Sequence, residues 1–218
     1  MKLVLFGATG NIGQRVVAEA LRRHHEVVGV VRDPEAVESP DPRVTLVKGD
    51  ATQSASIGQV ARGADAVVSA ISPRPNARGL PAPTLVHNAR ALLAGLPSAG
   101  VERVLMVGGA GSLEVAPGQQ LVDQPAFPEA YKAEALDGRD ALTVWRNEGG
   151  ASGLSWTFLS PAVEIAPGER TGRYRTTLDA VLWDSAGKNF ITFEDFAVAV
   201  LDELEKPAHV GQRFGVAY

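Results

Sequence analysis

Apolar positions along this chain keep two different periods, and the two periods alternate. Short runs rich in branched or aromatic residues fall at 1–6, 26–31, 44–48, 65–71, 104–107 and 154–159. Each is nearly continuous in its hydrophobicity, as expected of a strand covered on both faces. Between them, apolar residues recur at helical spacing over 11–23 (Val16, Val17, Ala20, Leu21), 54–62, 84–96 and 131–148. Strands separated by helical crossovers predict a parallel sheet with helices on both sides, a doubly wound α/β fold. The last fifty residues change character. Residues 168–177 and 189–192 read as short strands around turns. Residues 193–204 are helical, with Phe193, Phe196, Ala197, Val200, Leu201 and Leu204 on one face. Thr192 is placed to cap that helix, with Glu194 and Asp195 in its first turn. Residues 213–218 read as a closing strand. The expectation is one domain over 1–218, with 160–192 and the C-terminal segment elaborated into a substrate side.

The first strand runs directly into Gly7-Ala8-Thr9-Gly10-Asn11-Ile12-Gly13, and the first helical segment follows at once. A strand that delivers bare backbone N–H groups to a helix N-terminus makes an anion site, because dipole and unpaired donors point the same way. Glycines supply the tight turn and let a pyrophosphate approach the backbone. The spacing is G-x-x-G-x-x-G rather than G-x-G-x-x-G, but strand, turn, helix and second strand come in the required order. Gly7, Thr9, Gly10, Asn11, Ile12 and Gly13 are therefore candidate nucleotide contacts; the alternative is a structural turn with no ligand.

Bulk properties narrow the classes. The net charge of −4, with arginines scattered, gives no nucleic-acid footprint. No stretch approaches the roughly 20 apolar residues of a membrane helix, and the apolar run before Gly7 lacks a cleavage-site pattern. The chain has no cysteine, so disulfides and thiol chemistry are excluded. His24, His25, His87 and His209 show no metal-ligand spacing, and no metal is expected. A cytoplasmic monomer or homodimer acting on a small molecule, without nucleic-acid or membrane partners, fits these features.

Dinucleotide binders that take NAD place an acidic residue near the end of the second strand, about 20 residues past the motif. Here Arg32 holds that place, with Asp33 beside it and Pro34 next. A guanidinium matches a 2′-phosphate and can stack on adenine, which favours NADP(H) over NAD(H). Asp33 is the counterweight. Asp50, after Gly49 at the end of the third strand, could accept from the adenine amino group or cap the following helix; Ala51 adjoins it. Ser69, Ala70 and Ile71 end the fourth strand with residues small enough for a cofactor to lie against the backbone. The loop over 72–83 is a candidate pocket wall or an uninvolved surface loop.

The motifs Gly7–Gly13, Val31-Arg32-Asp33-Pro34, Gly49-Asp50, Gly108-Gly109-Ala110-Gly111-Ser112-Leu113 and Leu159-Ser160-Pro161-Ala162 occur in order along the whole chain. Together the sequence resembles the atypical short-chain dehydrogenase/reductase family. Within it the chain is similar to the NmrA-like NAD(P)H-binding branch that includes biliverdin-IXβ/flavin reductase. The resemblance implies a single Rossmann-type sheet binding NADP(H), with Gly108 and Gly109 near the cofactor and the nicotinamide beside Pro161 and Ala162. Ordinary reductases of that family use a Tyr, a Lys four residues later, and a Ser after the fifth strand. The spacing puts phenol and ammonium on one helix face, where the cation lowers the phenol pKa. This chain has Tyr131, but Ala135 stands where the lysine belongs; Lys132 lies about 100° around the helix. A second alignment, counted back from the sixth strand, places the lysine position near Leu142. Either way the pair is not intact. Ser112, Tyr131 and Lys132 remain catalytic candidates without assigned roles.

Hydride transfer from a reduced nicotinamide does not require a protein acid when the acceptor is conjugated. The leading expectation is an NADPH-dependent reductase of a flavin, tetrapyrrole or quinone-like acceptor, with Arg74, Arg78, Arg170 and Arg173 available to acidic substituents. A non-catalytic NADP(H)-sensing protein of NmrA-like type is the alternative. A sugar-nucleotide epimerase or dehydratase is a third reading, weakened by the missing proton donor.

Overall fold

The runs of Val, Leu and Phe form the centre of an eight-stranded sheet, and alternate residues of each strand serve opposite faces. In the computed structural model, which describes residues 1–73 and 84–218, the sequence opens with β1 (Lys2–Phe6), α1 (Asn11–Arg22), β2 (Glu26–Val31) and β3 (Thr45–Lys48). It continues with α2 (Ser54–Val60), β4 (Ala66–Ser69), α3 (Leu85–Ala99) and β5 (Arg103–Val107). A small hairpin, β6 (Glu114–Ala116) and β7 (Gln119–Gln120), precedes α4 (Glu129–Glu148) and β8 (Ser155–Ser160). The chain closes with β9 (Glu164–Ala166), β10 (Arg175–Thr177), β11 (Phe190–Thr192), α5 (Phe193–Glu205) and β12 (Gln212–Ala217). Across the large sheet the order is β10-β12-β8-β5-β4-β1-β2-β3. All neighbours are parallel except β10, which runs antiparallel to β12. This is an α/β Rossmann-like fold, as the alternating periods predict.

Period-two alternation decides which helix meets which residue. Leu3 and Leu5 of β1 join Val16 and Val17 of α1 and Phe196, Val200 and Leu201 of α5 in one buried cluster. Val4 and Phe6 face the other way, onto Ile57 of α2, Leu92 and Leu96 of α3 and Trp145 of α4. Both layers are buried, and that burial supplies the main driving force for the fold. Trp145 stacks on Trp156 of β8 at 5.7 Å and donates its Nε1 hydrogen to the sulfur of Met106 at 3.0 Å.

The C-terminal part differs from its sequence reading in detail. Of residues 168–177, only 175–177 form a strand. Residues 168–172 are drawn off the sheet by carboxylates of α5: the Gly168 amide donates to Glu194 at 2.8 Å and the Gly172 amide to Asp195 at 2.7 Å. The strand read at 189–192 is β11 at Phe190–Thr192, whereas the β6–β7 hairpin and β9 had no clear hydrophobic signature, because strands of two or three part-exposed residues are too short to show a period.

Candidate functional site

Strand order reverses direction of travel at β1, which pairs with β2 on one side and β4 on the other. Ligands of open α/β sheets bind in the crevice outside the strand ends at such a switch point. The glycine turn of residues 7–13 sits there. Gly7 has φ +84°, in the left-handed region, and a Cβ on it would lie 2.5 Å from the Ala70 carbonyl oxygen. The Gly10 amide closes the turn on the Gly7 carbonyl at 3.0 Å. A Cβ on Gly13 would collide with that same carbonyl, so the missing side chain lets α1 press onto the turn.

Among the longer helices α1 stands out by its open N-terminus. Its cap residue, Gly10, has no side chain to bond, its first turn carries no acid, and Gly10 and Asn11 are exposed. The seven-residue α2 is likewise uncapped and acid-free at its start, whereas the remaining long helices carry a cap bond or a first-turn acid. Thr84 accepts from the His87 amide at 3.1 Å, and Asp137 of α4 accepts from the Leu85 amide at 2.6 Å, closing the start of α3. At α5, Thr192 accepts from the Asp195 amide at 3.0 Å, with Glu194 and Asp195 in the first turn. For α4 an acid, Glu129, occupies the first turn. Unpaired amides and a positive dipole end at α1 thus face the switch point with no carboxylate competing for them. The bare backbone and this donor set fit the pyrophosphate of a dinucleotide.

On the β2–β3 side, Arg32 and Asp33 follow β2 and are both exposed. Asp50 accepts from the Thr52 amide at 2.8 Å and the Thr52 hydroxyl at 2.7 Å. It closes a local turn and does not cap α2, whose cap residue is Gln53. Ser69 is buried at the end of β4, with Ala70 and Ile71 half-buried beyond it. The Ser69 hydroxyl donates to Oδ1 of Asn88 at 2.6 Å, and Nδ2 of Asn88 donates to the Ala51 carbonyl at 2.7 Å. Asn88 escaped the sequence reading. Its signal is a polar residue on the apolar stripe of Leu85, Ala89, Leu92 and Leu96.

On the β5–β8 side, the Gly108 amide donates to the Leu159 carbonyl at 2.9 Å. Gly109 follows with open space where a Cβ would stand, and Pro161 and Ala162 are buried just past β8. The hydroxyl of Ser160, the last residue of β8, is buried with no hydrogen-bond partner among the described residues. Ser112 is buried too, its hydroxyl 3.4 Å from the Arg213 guanidinium of β12. Tyr131 is 54% exposed on α4, and Lys132 lies 3.9 Å from Glu129 of its own helix. Ala135 is buried against Gly111, on which a Cβ would lie 2.6 Å from the Ala135 methyl, and Leu142 is core. Among the described residues, no hydrogen bond links Ser112, Tyr131 and Lys132 to one another. Arg170 is engaged elsewhere: its Nε and Nη2 both donate to Glu19 of α1 at 2.7 Å. Arg173 is exposed on the same loop, while Arg74, Arg78 and most of the loop over 72–83 lie outside the described residues.

Fold, switch point and open glycine turn define a Rossmann-type dinucleotide-binding protein. A family model described as NAD(P)H-binding matches residues 7–207, and the chain belongs to that family, within the atypical short-chain dehydrogenase/reductase-like Rossmann proteins. Three solved structures resemble it along its whole length. An exported protein, described as putative, from Burkholderia pseudomallei is 45% identical with a TM-score of 0.88, covering 100% of both chains. A putative epimerase from Bacteroides thetaiotaomicron is 37% identical with a TM-score of 0.86, covering 100% of this chain and 96% of the other. A putative NADH-flavin reductase from Streptococcus pneumoniae is 32% identical with a TM-score of 0.83, covering 100% and 99%.

Proposed function

We propose that this protein is an NADPH-dependent oxidoreductase that passes hydride directly to a planar, conjugated acceptor of the flavin, tetrapyrrole or quinone type. The observation that carries the reading is the uncapped, acid-free first turn of α1 packed by Gly13 onto the Gly7 carbonyl at the switch point. The Streptococcus relative described as an NADH-flavin reductase supports the acceptor class. Arg32, in the place where a ribose-binding acid stands in NAD enzymes, supports the 2′-phosphate.

Each part of the chain has a physical task in this scheme. Amides of the α1 first turn would hold the pyrophosphate, and Arg32 would pair with the ribose phosphate. Ala70, Gly109 and Ala162 keep side-chain volume out of the crevice, so that a flat ring can lie on backbone. The bound cofactor supplies the hydride. Since neither Ala135 nor Leu142, the two positions where the pair's lysine could fall, carries an amine, the acceptor would take its proton from water or from its own acidic groups. A second reading, NADP(H) sensing without turnover, draws on the same absence of the pair at Ala135.

Anaerobic stopped-flow mixing of NADPH with a flavin, quinone and tetrapyrrole panel tests the proposal. Loss of nicotinamide absorbance with at least one acceptor is expected. Arg32→Ala should weaken NADPH binding by about tenfold while leaving NADH within about twofold, the value of one charge-assisted contact. NADPH binding without turnover on any acceptor would favour the sensor; no binding of either nucleotide would overturn both readings.

A further inference from the structure

We infer that Asn88 is the positioning residue for the adenine side of the site. The inference rests on the dinucleotide reading above. Asn88 is fully buried in the first turns of α3, where Thr84 and Asp137 pin the helix start. Its amide orientation follows from its partners. The Ala51 carbonyl can only accept, so Nδ2 must face it; Oδ1 is then left to accept from Ser69, whose hydroxyl must donate.

Those two partners are what make the residue more than core. Ala51 lies in the turn after β3, and Ser69 ends β4. These strands are not neighbours: β1 and β2 stand between them. The sheet fixes the separation of the two segments that flank the adenine half of the crevice only through three ladders in series. The Asn88 side chain is bonded to both segments and ties them directly. The stripe it occupies is otherwise apolar, so packing alone would be served by Leu or Ala. The amide is needed for the bridge.

Equilibrium titration with NADPH, following the emission of the reduced nicotinamide, separates positioning from general structure. Asn88→Ala should raise the Kd for NADPH by about tenfold, as expected from losing a buried pair of bonds. At saturation the bound nicotinamide should keep its wild-type emission, because the far half of the site is untouched. Ser69→Ala, which removes one bond and less volume, should raise the Kd by about threefold; it decides the question should Asn88→Ala fail to fold. Wild-type affinity in the variants that fold would overturn the assignment. So would a weakened affinity accompanied by altered emission at saturation, which signals a loosened fold. Wild-type protein that binds no NADPH would instead refute the dinucleotide reading itself.

Discussion

Gly10 and Gly13 lack side chains for different reasons, and that difference can be measured. A Cβ on Gly13 would run into the Gly7 carbonyl, whereas one on Gly10 would meet the protein only at 3.4 Å, from the same oxygen. Gly10 also holds ordinary extended angles, φ −79° and ψ 169°, which alanine adopts freely. Gly10→Ala should therefore leave stability within about 0.5 kcal/mol of wild type, as an exposed substitution does. It should still weaken NADPH binding, because the methyl group enters the space of the phosphates. Gly13→Ala should lower both stability and affinity, since α1 must move off the turn. Thermal melts and calorimetry on the two variants check this contrast. That these glycines form the tight turn between β1 and α1 was legible in the sequence because strand, turn and helix are contiguous. The bonding of Asp50 was not: whether it meets a ligand, α2 or its own turn depends on angles that sequence does not carry.

At the scale of the element, α1 combines a readable face with a hidden one. Its apolar stripe was evident, but Glu19 lies within the buried face at 4% exposure. Arg170 grips it with two bonds and Arg23 adds another at 2.8 Å, so a loop 151 residues away is tied to α1. Burial pushes the Glu19 carboxyl up, and the hydrogen bonds and charges of Arg170 and Arg23 outweigh it, leaving it below its ordinary value of 4.5. A carboxylate with a depressed folded pKa stabilises fully above its unfolded pKa and loses that contribution as pH falls through the folded one. Glu19→Gln should cost about 3 kcal/mol near neutral pH, the usual cost of breaking a buried ion pair. In urea melts the gap between wild type and variant should close as pH drops below about 4.5. A gap independent of pH would mean that packing, not charge, is at stake. The cap of α5 by Thr192, by contrast, needed only three adjacent residues and could be read directly.

Across the whole molecule, the segment after β8 is held down by a charge in the core. Arg213 of β12 is 3% exposed. It donates to Asp179, and its Nη2 reaches the Ser112 carbonyl at 3.3 Å. Asp179 also takes Arg146 of α4 at 2.7 Å, while its own carbonyl accepts from the Glu114 amide. One ion cluster thereby joins β12, α4, the loop after β5 and the 178–181 segment. Arg213→Met keeps the bulk but removes the charge. It should destabilise by about 2 kcal/mol, below the usual range for a buried pair because water can still reach Asp179. Denaturant unfolding measures the loss, and faster proteolysis near 178–183 than elsewhere would locate it.

Sequence alone determined the alternation of the main strands and helices, the two-sided burial of the sheet and the glycine turn between β1 and α1. All of these are set by neighbours in the chain, through periods of two and 3.6 and through local backbone geometry. Only the tertiary structure decided that Asn88 bridges Ala51 and Ser69, that Arg170 serves Glu19, and that Ser112 meets Arg213 in the interior. Those partners are 19 to 151 residues apart. A buried polar group must find its complement wherever the folded chain brings one, and no local pattern records that choice.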